Sequence, residues 1–495
     1  MPFVLALDQS TSATKALLFD EAGRCLDQES REHRQFYPRP GWVEHDANEI
    51  WLNTLSTLRA VTARQAARLP ETVALSITNQ RETVVVFDRR TGEPLHPALV
   101  WQCRRGDALC AEHAASGAAA GIQRKTGLPL DAYFSASKLQ WLVRNEPAIA
   151  ARLADGTAVI GTIDTYLIHR LTRGRVFATD ATNASRTLLF DLVRSRWDED
   201  LCALWQVPVA ALPEVRDCDA SYGETDLRGA LDRPLPIRGV MGDSQASLFA
   251  QRCFEPGSAK VTFGTGSSVL LNLGDAPRFS DRGIATALAW RLSGRPTYAF
   301  EGIIISSAST LTWLRDQLGL VRDIGELDTL ATAVPDNGGV YLVPAFSGLG
   351  LPHWQPAARA AIVGLSSQSD RRHVARAALE SIAYQVRDVL DVFRAESGLA
   401  LRDIRADGGA TASAPLMQFT ADVTGVALHV SAMAHGSPLG AAFAGLVGTG
   451  VHTSPEALAS IVREQVVYHP AMPVGRADSL HRGWQRAVCS VIPQN

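Results

Sequence analysis

Two aspartates stand where predicted strands end, a position at which a carboxylate can face a ligand. Asp8 closes the apolar run at 4–7, and Asp243 lies between a strand pattern at 238–242 and a helical pattern at 244–249. An aspartate at a strand-to-helix junction often caps the helix. The same carboxylate can act as a general base toward a hydroxyl group. For Asp243 the cap is the favoured interpretation on this segment alone, so the choice depends on the rest of the chain.

Arg81, Glu82 and Trp101 form a second group of side chains that could bind a ligand. Arg81 and Glu82 follow the predicted strand at 73–77, and Trp101 ends the predicted strand at 97–101. Ligands gather at strand ends in open sheets. A solvated Arg–Glu pair is the alternative, but the polar run within a strand-rich region favours a site.

Three polar turns after predicted strands have the composition of phosphate-binding loops, and they span 9–14, 264–268 and 407–413. Backbone N–H groups and hydroxyls beside an aspartate suit phosphate and magnesium. Glycine lets the backbone approach a phosphate without a side chain in between. The third turn also precedes a predicted helix at 414–424, and a helix N-terminus attracts anions. Ordinary Ser/Thr turns and a glycine hairpin are the alternatives.

The elements around these turns indicate a repeat. Predicted strands at 260–263 and 269–273 flank a small polar turn, as the strands at 4–8 and 15–20 do. No long identity supports duplication, so the repeat is an inference about structure alone. Helices are predicted at 303–318, 370–397 and 437–446, the last of them rich in small residues.

Composition excludes several classes of protein. The chain has 495 residues, 46% of them hydrophobic and 20% charged, which predicts two or three domains. A net charge of −3 argues against a nucleic-acid or membrane surface. The apolar runs are far shorter than the ~20 residues that span a bilayer, and the first residues do not resemble a signal peptide. Seven scattered cysteines predict a cytoplasmic location, and the histidine spacings do not favour a zinc site.

P-loop and dinucleotide-binding glycine fingerprints are absent from the sequence. The motifs that are present resemble the FGGY family of carbohydrate kinases, in its glycerol kinase branch, over nearly the whole chain and in order. The resemblance is carried by Asp8-Gln9 and by the segments 40–46, 78–83, 101–105, 182–187, 242–243, 264–266, 344–350, 379–384 and 407–410.

This resemblance implies an α/β fold of two actin/hexokinase/Hsp70-type (ribonuclease H-like) domains, each a mixed five-stranded sheet with helices on both faces. Residues 1–248 would form the acceptor-binding domain that carries the base, and residues 249–495 the nucleotide-binding domain. ATP, Mg²⁺ and a small polyol or sugar would meet in the cleft between them, and closure would exclude water.

The resemblance also implies residue roles. Asp243 matches the catalytic base, and Asp8 matches a carboxylate that helps to hold magnesium. The acceptor pocket would contain Arg81, Glu82, Trp101 and Tyr133, with Ser244 and Ser268 beside it. The nucleotide loops would contain Thr11, Ser12, Gly264, Thr265, Gly266, Gly408, Gly409 and Ser413. Such a set suits phosphoryl transfer, which depends on alignment and on spreading negative charge.

Two positions depart from the glycerol kinase pattern. Ser244 stands where a glutamine usually follows the base, and Ser268 stands where a phenylalanine is usual two residues beyond the Gly-Thr-Gly turn. Replacing an amide and a ring by two serines should enlarge and polarise the pocket. The resemblance implies glycerol or a closely related small polyol as acceptor, and the two serines favour the alternative, a tetritol such as erythritol or a ketose such as xylulose.

A non-enzymatic alternative is an ATP-dependent interaction protein like the actin and Hsp70 relatives. It would need a filament interface or a peptide-binding domain, and its ATP turnover would not require a polyol. The sequence leaves the acceptor, the phosphorylated carbon, allosteric control and the oligomeric state open, with a dimer or tetramer among the alternatives.

Overall fold

Two large mixed sheets with a similar five-stranded core form the framework of the molecule. The computed structural model describes residues 1–431, 435–461 and 465–493. We call these sheets the first sheet and the second sheet, in the order in which the chain builds them. A smaller five-stranded sheet accompanies the first, with the strands Gln35–Phe36, Glu44–His45, Ala98–Leu99, Val84–Asp88 and Ala158–Thr162.

The first sheet has six strands, in the spatial order Glu224–Thr225, Leu235–Gly242, Thr72–Asn79, Phe3–Gln9, Ala13–Asp20 and Cys25–Glu32. The last three form an antiparallel meander, whereas 72–79 and 235–242 add parallel to 3–9. Every residue of 3–9 is buried because structure covers both faces of the sheet. The edge strand 25–32 is largely exposed and carries several charges, which discourages pairing with another chain.

The second sheet repeats this arrangement, with strands in the order Ala285–Leu292, Arg295–Ile304, Ser267–Gly274, Ser258–Phe263, Asp403–Asp407, Leu428–Ser431 and Gln465–Tyr468. The strands 258–263, 267–274 and 295–304 lie side by side and antiparallel, as in the first sheet, but the chain forms the edge strand 285–292 before it returns as 295–304. The strands 403–407 and 428–431 add parallel. The predicted repeat of architecture is therefore confirmed. Each expected five-stranded sheet is present as a core that carries one or two further edge strands.

The described helices cover the faces of these sheets. Their bounds are Ala47–Arg64, Asp107–Ala115, Ala119–Thr126, Ser135–Asn145, Pro147–Ala154, Ile163–Leu171, Ala181–Ala184, Glu199–Leu204, Asp243–Ala250, Ser309–Asp316, Ile324–Thr332, Arg371–Ser397, Ala414–Thr424, Gly436–Gly448, Pro455–Ala459 and Val474–Val491. Within the described ranges, no helix is both long enough and apolar enough to cross a bilayer.

One helix prediction was wrong at its start. The segment 303–318 is not a single helix, because Ile303 and Ile304 end a strand that pairs with 267–274, and the helix begins at Ser309. Strand pairing over this length outweighs the local helical spacing. The predicted helices at 370–397 and 414–424 are confirmed.

Two helices join the halves of the molecule at close range. We call Asp243–Ala250 the base helix and Gly436–Gly448 the small-residue helix. A Cβ atom added to Gly440 would lie 1.8 Å from the carbonyl oxygen of Ala246 in the base helix. A Cβ atom on Gly239 would lie 2.3 Å from the carbonyl oxygen of Ala441. Only glycine allows such backbone contact, so the backbones of the two halves touch directly behind Asp243.

Candidate active site

Asp243 is the first residue of the base helix, and its carboxylate faces the space between the two sheets. The helix cap is Gly242, so the interpretation of Asp243 as the cap is wrong by one position. Its Oδ1 accepts hydrogen bonds from the backbone N–H of Ser244 at 2.7 Å and from Nε of Arg81 at 3.0 Å. The side chain is 37% exposed. Asp243 is thus oriented by a cation and still accessible to a ligand.

A buried relay fixes the strand end that precedes Asp243. The backbone N–H of Gly242 donates to Oγ1 of Thr182 at 2.8 Å, and that hydroxyl donates to Oδ2 of Asp180 at 2.6 Å. All three residues are buried. Sequence reasoning named Thr182 only as part of a family motif and missed Asp180, because a buried hydroxyl–carboxylate pair has no distinct spacing.

Asp8 lies at the same edge of the first sheet. Its neighbour across the sheet is Thr78, and Thr78 in turn pairs with Met241, two residues before Asp243. Burial raises the pKa of the Asp8 carboxyl to about 7; Lys15 opposes the shift and the like charge of Asp243 adds to it. A nearby cation would remove this penalty, so Asp8 and Asp243 suit a divalent ion bound with phosphate. In the part of the chain that the structure describes, no group of three or more His, Cys, Asp or Glu residues forms a complete protein-built metal site.

Arg81 is bound from across the cleft by a residue that sequence reasoning missed. Its Nη1 and Nη2 donate to the two carboxylate oxygens of Glu301 at 3.0 and 2.9 Å. Glu301 belongs to the strand Arg295–Ile304 of the second sheet. Burial raises the pKa of Glu301, but Arg186 and Arg81 reverse this and lower it to about 2. Glu301 is therefore a carboxylate at neutral pH.

Glu82 completes the charged group. Its Oε1 accepts from Nε of Arg186 at 2.6 Å, and Arg186 Nη1 lies 2.6 Å from Glu301 Oε2. Glu82 also has φ +63°, a left-handed conformation that is costly for a residue with a side chain. Its carbonyl oxygen accepts from the hydroxyl of Ser135 at 3.0 Å, which helps to hold this conformation. Backbone strain of this kind concentrates at functional sites.

A cavity of about 570 Å³ adjoins these charges. Trp101 and Tyr133 form one wall with their rings 5.3 Å apart and edge to face, and Arg186 and Glu301 lie in the same lining. Burial raises the pKa of Tyr133, so its hydroxyl remains a donor at neutral pH. Nε1 of Trp101 donates to the hydroxyl of Thr11 at 3.0 Å, which places Thr11 behind this wall. The cavity combines aromatic faces with buried polar groups, as small-molecule sites do.

Ser244 and Ser268 lie in a second cavity, of about 330 Å³, together with Asp243, Lys260, Asp407 and Gly408. Oγ of Ser268 is buried without a hydrogen-bond partner among the described residues. Asp407 accepts from Ser247 at 3.2 Å and from Gln251 at 3.1 Å, which ties the second sheet to the base helix and the residue that follows it. The two serines therefore flank the base rather than the aromatic wall.

A third cavity, of about 470 Å³, is lined by Gly264, Thr265, Gly409 and Ser413. The hydroxyl of Ser413 donates to Asp328 at 2.6 Å and accepts from the backbone N–H of Leu416, so it caps the next helix. Three other predicted nucleotide residues, Thr11, Ser12 and Gly266, lie outside the linings of all three of these cavities.

Gly408 separates the second cavity from the third. It has φ +100°, and an added Cβ atom would lie 2.4 Å from the carbonyl oxygen of Phe263. No other residue type fits there without displacing the backbone. The turn that follows the strand Asp403–Asp407 therefore brings bare backbone to the edge of the cleft.

Comparison with known proteins matches both halves of the chain to one family. Residues 3–250 match "FGGY family of carbohydrate kinases, N-terminal domain", and residues 259–449 match the C-terminal domain of the same family. The chain is similar to the glycerol kinase of Symbiobacterium thermophilum, with 46% identity over 98% of this chain and 97% of the relative. It is also similar to glycerol kinase 1 of Thermotoga maritima, with 43% identity over 99% and 100% of the two chains.

Among solved structures, the chain resembles Plasmodium falciparum glycerol kinase with ADP at a TM-score of 0.94 and 35% identity, over 100% of this chain and 99% of that one. It also resembles the xylulose kinase of Rhodospirillum rubrum at a TM-score of 0.88 and 25% identity, over 99% and 98% of the two chains.

Proposed function

The chain belongs to the FGGY family of carbohydrate kinases, and we propose that it transfers the γ-phosphoryl group of ATP to a hydroxyl of glycerol or a closely related small polyol. The observation that carries the proposal is Asp243, accessible between the two sheets and held by Arg81. Full-length similarity to proteins named glycerol kinase supports the choice of acceptor.

In this reaction Asp243 accepts the proton of the attacking hydroxyl. A positioned carboxylate contributes typically ~10²–10⁴-fold to such a step. Arg81 donates one hydrogen bond to Asp243 and two to Glu301, which leaves two of its five N–H bonds for acceptor hydroxyls. Trp101 and Tyr133 pack against the carbon skeleton, which carries no charge by which it could be held.

Asp8, with Asp243 close by, would hold the magnesium ion that accompanies ATP. When bound, the ion neutralises charge on the phosphates. The raised pKa of Asp8 fits this role, because a carboxylate that is costly to ionise alone is stabilised by a cation.

The nucleotide would occupy the third cavity and reach the second, where its phosphates would meet the acceptor beside Asp243. The adenosine would lie against Gly409 and Ser413, and the phosphates would extend past Gly264, Thr265 and Gly408 toward Asp243. We also propose that the chain divides into domains at 248/249 and that the protein works in the cytoplasm.

A larger acceptor, such as a tetritol or a ketose, is a second candidate. The unpaired hydroxyl of Ser268 and the neighbouring Ser244 favour it, because both line the cavity around Asp243 where the glycerol kinase pattern has larger side chains. An additional hydroxyl of the acceptor would find a partner at Ser268.

A coupled assay of ADP release tests these alternatives, with Mg-ATP and a panel of three- to six-carbon polyols and ketoses. We expect turnover that depends on a polyol, with glycerol or a close analogue giving the highest kcat/KM. A tetritol or ketose as the best substrate would favour the second candidate. ADP release that needs no polyol and responds to peptides would contradict a kinase and favour an interaction protein.

A further inference from the structure

Four charged side chains form a buried cluster that bridges the two sheets. We call Arg81, Glu82, Arg186 and Glu301 the bridging cluster. Their side chains are between 1% and 6% exposed. Arg81, Glu82 and Arg186 come from the first half of the chain, whereas Glu301 comes from a strand of the second sheet.

Three of the roughly four acceptor positions of the Glu301 carboxylate face arginines. Its Oε1 accepts from Arg81 Nη2, and its Oε2 accepts from Arg81 Nη1 while lying 2.6 Å from Arg186 Nη1. Each guanidinium then reaches a residue of the proposed acceptor site. Arg81 continues to Asp243, and Arg186 continues to Glu82. Because Glu301 also lies in the lining of the cavity beside Trp101 and Tyr133, a double-mutant cycle with Arg81 is needed to distinguish an effect through Arg81 from a direct contact with the acceptor.

Stability does not account for this arrangement. A buried ion pair rarely stabilises a fold more than apolar residues of the same volume, because desolvation offsets the attraction. The neighbours of Glu301 in its strand, from Tyr298 to Phe300, are buried and mostly apolar. Burying a carboxylate at this position is costly, so its presence indicates a role other than stability.

Geometry indicates that task. A bidentate carboxylate fixes the plane of a guanidinium, because the two parallel hydrogen bonds allow little rotation. With both terminal nitrogens of Arg81 fixed by Glu301, its Nε points at Asp243 at 3.0 Å. Without Glu301, Arg81 would face two carboxylates on its own side, Asp243 and Glu82, and nothing would fix its plane.

We propose that Glu301 is a positioning residue of the acceptor site, which orients Arg81 from the opposite half of the molecule. The proposal rests on the proposed function and deepens it. Because Glu301 belongs to the second sheet and Arg81 to the first, the acceptor site is complete only when the two halves are in the arrangement seen here. Acceptor binding is thereby coupled to the relative placement of the two sheets.

The test is Glu301→Gln in the full-length chain, assayed with the acceptor that the wild type turns over best. We expect the KM for the acceptor to rise about 10–100-fold, since small misplacements of orienting groups have effects of this size. The KM for ATP and the Kd for ADP should change less than about twofold. Glu301→Asp keeps the charge on a shorter arm and should recover part of the loss.

Glu380→Gln is the matched control. Glu380 is another buried glutamate of the second half, bound by Arg376, Asn337 and Tyr384. Its loss should lower the unfolding temperature without separating the two KM values. If Glu301→Gln also lowered only the unfolding temperature, or raised both KM values equally, the proposal would be overturned.

A double-mutant cycle tests the route through Arg81. We expect Arg81→Gln to raise the acceptor KM. Glu301→Gln should add little on that background, since both substitutions disrupt the same Arg81–Glu301 pair. Additive effects would overturn the proposal. A wild-type chain that turned over no polyol or ketose would contradict the proposed function itself, a result obtained before any variant is made.

Discussion

The two sheets share a similar five-stranded core but present different chemistry at the edges that face each other. The first sheet ends in charged side chains, among them Asp8, Arg81 and Asp243. The second ends in turns where backbone is exposed, as at 264–266 and 408–409. A phosphate can be held by backbone N–H groups, whereas a neutral polyol needs side chains that donate and accept. In the proposed function, similar architecture would therefore serve two ligands through the residues at its strand ends.

Two charged residues of the second sheet do not follow this division. Asp407 accepts hydrogen bonds from Ser247 and Gln251, and Glu301 binds Arg81. Both reach groups of the first half rather than open space. At these two positions a charge of the second sheet joins the halves. In the proposed function the nucleotide is recognised chiefly by backbone and hydroxyls of the turns, with Lys260 as a charged residue in the lining of the second cavity.

The strongest test of the first sheet is Asp243→Asn. We expect kcat to fall by ~10²–10⁴-fold, because the amide cannot accept the hydroxyl proton. ADP binding, measured by calorimetry, should be nearly unchanged since the second sheet is intact. Asp275→Asn, at an exposed position, serves as the control. Activity close to wild type would remove Asp243 from the mechanism.

Asp8→Asn tests the buried charge through stability. The folded-state pKa of about 7 lies above the unfolded value of 3.8, so the folded chain holds a proton that the unfolded chain loses. Magnesium-free wild type should therefore lose stability as pH rises from about 4 to 7, by on the order of 4 kcal/mol at 1.36 kcal/mol per pKa unit. The variant should lack this loss. If the free energy of unfolding changed with pH in the same way for wild type and Asp8→Asn, the raised pKa of Asp8 would be contradicted. Added magnesium should stabilise the wild type more than the variant.

Gly408→Ala and Gly409→Ala distinguish two reasons for glycine in the turn after the strand Asp403–Asp407. One is the close approach of two backbones, and the other is a general need for glycine in this turn. At Gly408 the methyl group would meet the backbone of Phe263, whereas at Gly409 it would meet no atom within 4 Å. We expect Gly408→Ala to cost about 1–3 kcal/mol and to raise the KM for ATP. Gly409→Ala should leave the stability close to wild type and should raise the KM for ATP less than Gly408→Ala does, since the methyl group meets no protein atom. Equal effects would show that close backbone approach is not what the turn requires.

Ser268→Phe should have the smallest effect, because it changes only the acceptor preference. A ring beside Asp243 would fill space in the second cavity and disfavour longer acceptors. We expect the ratio of kcat/KM for glycerol over a tetritol to rise roughly tenfold. Ser460→Phe, at an exposed position, is the control. An unchanged ratio would count against a role for Ser268 in acceptor choice.

The sequence alone was sufficient to predict the position of residues that lie next to a recognisable strand. Asp8, Asp243 and the glycine turns follow strands that alternation and apolar runs reveal, and the structure places them at facing edges. Glu301 gave no such signal, because it lies within the apolar run Tyr298–Ile305 and its partner Arg81 is 220 positions away. The same run misled the helix prediction at 303–318. A contact between residues far apart in the sequence leaves no hydrophobic periodicity in either segment from which it could be predicted.

The close contact between the base helix and the small-residue helix has a mechanical consequence. In any rotation about a fixed axis, an atom moves in proportion to its distance from that axis. If the two halves turn about the backbone contact at Gly440 and Ala246, Asp243, three residues before Ala246, has a short lever arm. The outer walls at Trp101 and Ser413 would swing through longer arcs. Rotation about this contact would let the cleft open and close around ligands while the carboxylate of Asp243 moves little.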